Sequence, residues 1–239
     1  MKYVLMVLLL LGHALGYAAG KAKVGHNRTK LDTNTPVSEG VLTGTFETDY
    51  YHQPPTDPAT TVYGNATLDY SFSNGWDVQL ASYSIALLGG GVQNQQAITY
   101  INLAKTFRLP YNFTLTLGTQ SGFALDGPEH VLHNGEFGLI SYIPNQYVNL
   151  HAGSFWLNKI MSMTTDTYGY TTGLSYEFIP GLLTFTGDYY SGVSSMSGGY
   201  VNTWLRVHKL AQIYVGGGVP TTNSGNEFYG AFGFQISNK

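Results

Sequence analysis

The chain has 239 residues, of which only 10% are charged and 14% are aromatic, with 30 Gly and no Cys. Soluble domains have roughly 25% charged residues, so this composition disfavours a soluble domain, and the lack of Cys excludes a disulfide-held scaffold. The formal net charge is −3, which offers no overall basic character for binding a nucleic acid. Composition therefore favours one large domain with a mostly uncharged surface.

Residues 1–20 have the pattern of a secretory signal peptide. A basic residue precedes an apolar run at 4–11, and small residues follow. This run is shorter than the roughly 20 residues that a spanning helix needs, so cleavage is expected between Gly16 and Lys21, with a retained anchor as the alternative. Residues 21–39 are then predicted to form a basic, irregular segment on the periplasmic side.

The clearest secondary-structure signal lies at 62–88. Small or apolar residues occupy every second position of its first arm, and this period of two excludes a helix. The Asn74-Gly75 pair then predicts a type I′ turn, after which the apolar row resumes at Trp76. The stretch is predicted to form a β-hairpin with arms of about ten residues or more, long enough to cross a bilayer at a tilt. Strands of a soluble sandwich also alternate, so the hairpin alone does not decide between the two.

Ten further alternating segments extend this pattern along the chain. The twelve segments predicted to be strands are 40–51, 60–73, 76–88, 96–107, 111–121, 134–143, 147–157, 167–178, 182–191, 199–207, 211–219 and 227–237.

The connections between these segments alternate in length. Short turns at 73–75, 109–110, 144–146, 180–181 and 208–210 interleave with long connections at 52–59, 89–95, 122–133, 158–166, 192–198 and 220–226. Short connections on one side and long ones on the other are typical of an up-and-down membrane barrel and not of a Greek-key sandwich. Closure also removes the unpaired strand edges that lipid cannot satisfy.

The signal peptide, the amphipathic strands, the two loop lengths and the aromatic last strand make the chain resemble Gram-negative outer-membrane β-barrel proteins as a class. The resemblance covers residues 40–239. It implies an all-β fold, a single up-and-down antiparallel transmembrane β-barrel of about 12 strands, located in the bacterial outer membrane.

Strand parity predicts which side chains line the pore. They are Glu47, Asp49, Glu136 and Asp188 in the half nearer the long loops, Asp69, Asp77, Glu177 and Arg206 near the short turns, and His151, Tyr63 and Tyr83 among the others. Acidic side chains that line a narrow pore favour cations. We therefore expect a porin-like channel or transporter for small solutes with a mild preference for cations. Outer-membrane lipid and small-molecule solutes are the expected partners.

Two alternative functions stay open, a structural or surface-interaction barrel with a filled lumen and an outer-membrane enzyme. His151 and Ser154 lie three apart on one strand, so they point to opposite faces and do not form a nucleophile-base pair. A loop cluster of Asp126, Glu129, His130 and His133 contains ligand groups for a divalent cation, but their loose spacing in a loop with Gly and Pro disfavours a metal site. We predict no catalytic residue, no metal site and no cofactor.

Overall fold

The structure is a computed structural model, and it describes residues 40–51, 61–88, 97–124, 131–222, 224 and 228–238. The predicted signal peptide and the predicted basic segment at 21–39 lie outside the described residues.

The described residues form twelve strands and one short helix, which turns and loops connect. The strands are β1 (Val41–Tyr51), β2 (Thr61–Ser71), β3 (Trp76–Leu88), β4 (Ile98–Arg108), β5 (Phe113–Ala124), β6 (His133–Asn145), β7 (Val148–Leu157), β8 (Tyr168–Ile179), β9 (Leu183–Tyr190), β10 (Gly198–His208), β11 (Ala211–Pro220) and β12 (Tyr229–Ser237). The helix, α1, spans Lys159–Ser162 between β7 and β8. No helix in the described ranges has the length and apolar character that crossing a bilayer requires.

The twelve strands close into one antiparallel barrel. Each strand pairs with its neighbours in sequence, and β1 closes the barrel by pairing with β12, where Phe46 lies opposite Phe234. Closure leaves no strand with an unpaired edge. The predicted fold class is confirmed, and every predicted strand boundary lies within three residues of the observed one.

The connections alternate between short and long as predicted, but one predicted turn type is wrong. At the β2–β3 hairpin only Gly75 has positive φ, at 88°, whereas a type I′ turn needs positive φ at both central residues. The β2–β3 connection is a longer loop that Gly75 closes in the left-handed conformation. The type I′ pattern occurs instead between β4 and β5, where Tyr111 and Asn112 have φ of 59° and 64°.

The two faces of the barrel differ in polarity. Large apolar side chains point outward on every strand, and Ile101 and Val201, for example, are 61% and 64% exposed. Exposure of this kind along a whole wall is unfavourable in water and favourable in lipid. The outer wall is therefore a surface for the hydrocarbon region of a bilayer, and the inner wall holds the polar side chains.

Candidate functional site

The candidate functional site is the barrel interior, whose half nearer the short turns is polar. Buried side chains here include Thr43, Thr45, Thr67, Asp69, Asn149, Ser175 and Glu177. Several buried polar atoms have no hydrogen-bond partner among the described residues, including Thr67 Oγ1, Asn102 Oδ1, Thr114 Oγ1 and both amide atoms of Asn149. Buried polar groups that lack a protein partner are usually satisfied by water, so we expect water in this half of the interior.

Two buried carboxylates meet on β1. Asn65, on β2, donates through Nδ2 to Glu47 Oε1 at 3.0 Å and also to Asp49 Oδ2. The hydroxyl of Tyr214 donates to Glu47 Oε2 at 2.7 Å. Tyr214 reaches β1 from β11 by crossing β12 at Gly233, where a Cβ atom would collide with its ring. We call Glu47, Asp49, Asn65 and Tyr214 the acidic cluster.

Asn65 also holds the backbone in place beside this cluster. Its Oδ1 accepts a hydrogen bond of 3.0 Å from the backbone N–H of Ser84, a residue with φ of 58°. Ser84 lies at a bulge where the pairing of β2 with β3 shifts register. The Asn65 side chain therefore links the carboxylates of Glu47 and Asp49 to the β-bulge in β3.

A second interior pair joins β7 to β9. His151 Nε2 lies 2.9 Å from Asp188 Oδ1, although the two atoms lack the alignment of a hydrogen bond. The two side chains meet over Gly173 of β8, which lies opposite both residues in the sheet register. A Cβ atom at Gly173 would contact both side chains, so a glycine is required at this crossing. The attraction is electrostatic and depends on a proton on the imidazole.

Near the short turns the interior carries charges of both signs. Glu177 Oε1 accepts a hydrogen bond from the backbone N–H of Gly181 at the β8–β9 turn. Arg206 lies on the interior face of β10, and its Nε and Nη2 are buried without a hydrogen-bond partner in the described part of the chain. Asp69 and Asp77 lie on the interior faces of β2 and β3 at the same end.

The half nearer the long connections contains a set of buried apolar side chains beside its polar groups. Interior side chains form one buried cluster there with Met161 of α1 and Met196 of the connection after β9; the wall contributes Ala81, Tyr83, Tyr100, Leu139, Phe155, Leu157 and Tyr190. We call this set the apolar cluster. A cavity of about 20 Å³ lies within it, between Gln120 and Met196, which is room for about one water molecule. Tyr63 is also buried on the interior face, opposite Asp49.

The prediction that Glu136 lines the pore is wrong. On β6 the buried residues are His133, Leu139 and Ser141, so the odd-numbered side chains point inward and Glu136 is exposed on the outer wall. Apolar residues occur in both rows of this strand, because the odd row contributes to the apolar cluster while the even row faces lipid. Hydrophobicity therefore did not distinguish the two faces.

The remaining predicted pore-lining residues lie on the interior face, and the parity argument about His151 is confirmed. His151 is buried inside, whereas Ser154 is exposed on the outer wall. Of the predicted loop cluster, Asp126, Glu129 and His130 lie outside the described residues, and His133 Nδ1 is 3.4 Å from the hydroxyl of Tyr100. Within the described ranges no group of three or more ligand side chains is placed to hold a metal ion.

The replacement Asn65→Ala should destabilise the barrel by about 2 to 4 kcal/mol, because it removes the Asn65 donor from the buried carboxylates of Glu47 and Asp49 and the side-chain acceptor from the Ser84 N–H. The free energy of unfolding in urea, measured in detergent micelles, tests this. Asn134→Ala is the matched control, since Asn134 lies on the outer wall and accepts a hydrogen bond from Ser121. Equal stability of the two variants would contradict a structural role for Asn65.

Several solved structures have folds similar to that of this chain. The chain is similar to the KdgM porin in complex with disordered oligogalacturonate, with a TM-score of 0.57, 11% identity and coverage of 82% of this chain and 98% of that chain. It is similar to the NanC porin, with a TM-score of 0.53, 12% identity and coverage of 84% and 99%. It is also similar to the Salmonella typhi outer membrane phospholipase dimer with bound calcium, with a TM-score of 0.53, 11% identity and coverage of 89% and 94%.

No protein-family model matches the chain, and no curated protein matches it. At these identities the structural likeness concerns the fold alone. The fold is that of bacterial outer-membrane β-barrels, and the predicted class is confirmed.

Proposed function

We propose that this protein is a porin-like channel of the bacterial outer membrane that admits small solutes and prefers cations. The observation that carries the proposal is the charge of the interior. The inward faces of the described strands carry six carboxylates, namely Glu47, Asp49, Asp69, Asp77, Glu177 and Asp188. The arginines on these faces are Arg108 and Arg206, both close to the short turns. Low-dielectric walls focus the field of such an interior and raise the local concentration of cations.

The same charges argue against acidic solutes. Oligogalacturonate, which the KdgM porin binds in its solved complex, carries one carboxylate on each sugar unit. The acidic cluster and Asp188 are directed into the middle of the interior of this chain and repel such a polyanion. We propose that the solutes are small and neutral or positively charged.

The proposal includes the organisation of the whole chain. Residues 1–20 direct export and are removed, residues 21–39 form a basic periplasmic segment, and residues 40–239 form the barrel. β1 begins on the side of the short turns, where Asp69, Asp77 and Glu177 lie. A basic segment that enters there meets carboxylates of opposite charge, although exposed ion pairs contribute only about 0 to 1 kcal/mol each.

A structural barrel with a filled lumen is the second candidate, and the apolar cluster favours it. Met161 and Met196 are 3% and 5% exposed and fill the end of the interior nearer the long connections. Conduction requires this cluster to open, as apolar constrictions in channels do when they become wet. Planar-bilayer recordings on the refolded protein separate the two candidates, because a filled barrel inserts without carrying ionic current.

In a conducting barrel, replacing Glu47, Asp49 and Asp188 by their amides should abolish most of the cation preference. The expected result is a reversal potential that moves toward zero in a tenfold salt gradient, with the largest change at low ionic strength, where the Debye length reaches about 30 Å. Glu136→Gln is the matched control, since it removes a carboxylate from the outer wall and should leave the reversal potential unchanged. A triple variant that conducts with the original selectivity would contradict the proposed role of these carboxylates.

A further inference from the structure

Glu136 is unusual because of where its charge lies. On the outward faces of the described strands it is the only carboxylate, and Lys105 is the only basic residue. Lys105 lies beside a short turn, where its Nζ donates to the backbone carbonyl of Asn74. Glu136 has no hydrogen-bond or ion-pair partner among the described residues and is exposed. Charged side chains on the lipid face of a barrel cost free energy, and ionisable groups at membrane depth are usually functional.

Glu136 lies in a groove on the outer wall, formed by β5 to β8. The groove has a volume of about 590 Å³, and its walls include Leu117, Ser154, Trp156, Tyr168 and Tyr170. The sheet register puts Trp156 opposite both Glu136 and Tyr168. Aromatic side chains of this kind mark the membrane interface in barrels, so the groove is at the level of lipid head groups.

The floor of the groove is open because residue 138 is a glycine. A Cβ atom at Gly138 would meet one side-chain atom, Leu117 Cδ2, at the ordinary contact distance of 3.4 Å. Glycine here is therefore not required by packing within the barrel. A larger side chain at this position would occupy the space between Leu117 and Ser154.

The chemistry of the groove selects a cationic group. A carboxylate attracts an ammonium, and the faces of Trp and Tyr rings attract it further through their quadrupoles. The hydroxyl groups of Ser154 and Tyr170 can donate hydrogen bonds to a phosphate. On the side of the groove nearer the short turns, the outward side chains of β5 and β7 are apolar. An anionic head group without an amine would be repelled by Glu136.

We propose that this groove binds an aminophospholipid, with the primary ammonium at Glu136 and the aromatic rings, and with the acyl chains along the outer wall. The site lies outside the barrel, so the inference does not depend on conduction through the interior. It makes Glu136 a lipid-binding residue.

Native mass spectrometry of the detergent-refolded protein tests the inference, with phosphatidylethanolamine and phosphatidylglycerol of identical acyl chains as probes. We expect phosphatidylethanolamine to bind about fivefold more tightly, the effect of one exposed ion pair with an aromatic contact. Glu136→Gln should remove this preference while leaving binding of phosphatidylglycerol unchanged or stronger. Gly138→Leu should weaken the binding of both lipids, because the side chain fills the groove.

Gly230→Leu is the matched control. Gly230 also points outward, and a Cβ atom there would have nothing within 4 Å, so the substitution should fold and leave lipid binding unchanged. Equal affinity of the original protein for the two lipids would overturn the inference, as would a preference that survives Glu136→Gln. If Gly138→Leu does not fold, the exposed and nearly isosteric Glu136→Gln decides the question alone.

Discussion

Replacing Met161 and Met196 together by Ser should raise the open fraction of the proposed channel by about tenfold or more. Each buried Met contributes roughly 1.5 to 3 kcal/mol to the packed state, and about 1.4 kcal/mol corresponds to a factor of ten. Both residues enter the apolar cluster from connections outside the strands, so their loss should loosen the closure without altering the barrel wall. Single-channel recordings at fixed voltage give the open fraction directly.

Met163→Ser is the control for this experiment. Met163 follows α1 directly, but it is 73% exposed and lies outside the apolar cluster. Its replacement should leave the recordings unchanged. If the double variant folds, inserts and conducts no more than the original protein, the apolar cluster is not the barrier, and the filled-lumen candidate gains support.

The second large effect concerns the stability of the barrel. Gly153→Val should destabilise it by about 3 kcal/mol, because overpacking typically costs about 1 to 3 kcal/mol and the wall here has little freedom to move. A Cβ atom at Gly153 would collide with the backbone carbonyl of Gly138 and with the Leu139 side chain. Backbone in a closed sheet yields less readily than the end of a flexible side chain.

The midpoint of urea unfolding in micelles, with the heat-dependent shift in gel migration, measures this change. Gly44→Val is the matched control, because nothing lies within 4 Å of a Cβ atom at Gly44, which is also in a strand. The control should keep or slightly raise the midpoint, since valine favours strands. Two variants with the same midpoint would show that the close approach of β6 and β7 at Gly153 is not tight.

The barrel itself was predictable because its signals are local. The period of two in stretches such as Phe113–Leu117 or Tyr168–Phe178 reports strands whose neighbouring side chains face different solvents. Turn residues such as Asn74-Gly75 and Pro180-Gly181 then set where each strand ends. The alternation of connection lengths added the topology, since short turns and long loops belong to opposite ends of a membrane barrel.

Alternation alone does not assign side chains to the inner or outer face of the barrel where both faces of a strand are apolar. The interior positions of Glu47, Asp49, Asp69 and Asp188 follow from strands with one polar row. On β6 both rows contain apolar residues, and Glu136 was placed on the wrong face. No local pattern distinguishes a residue that faces lipid from one that contributes to the apolar cluster, because both environments exclude water.

Strand periodicity, turn positions and the even number of strands can be predicted from local stretches of this chain. Which side chains meet inside the barrel depends on tertiary contacts between distant stretches. Tyr214 reaches Glu47 across 167 residues of sequence, and His151 reaches Asp188 over Gly173. Met161 and Met196 fold into the interior from outside the strands. These contacts depend on the register of every intervening strand and on the closure of β1 with β12, and neither quantity is encoded in any one stretch of the chain.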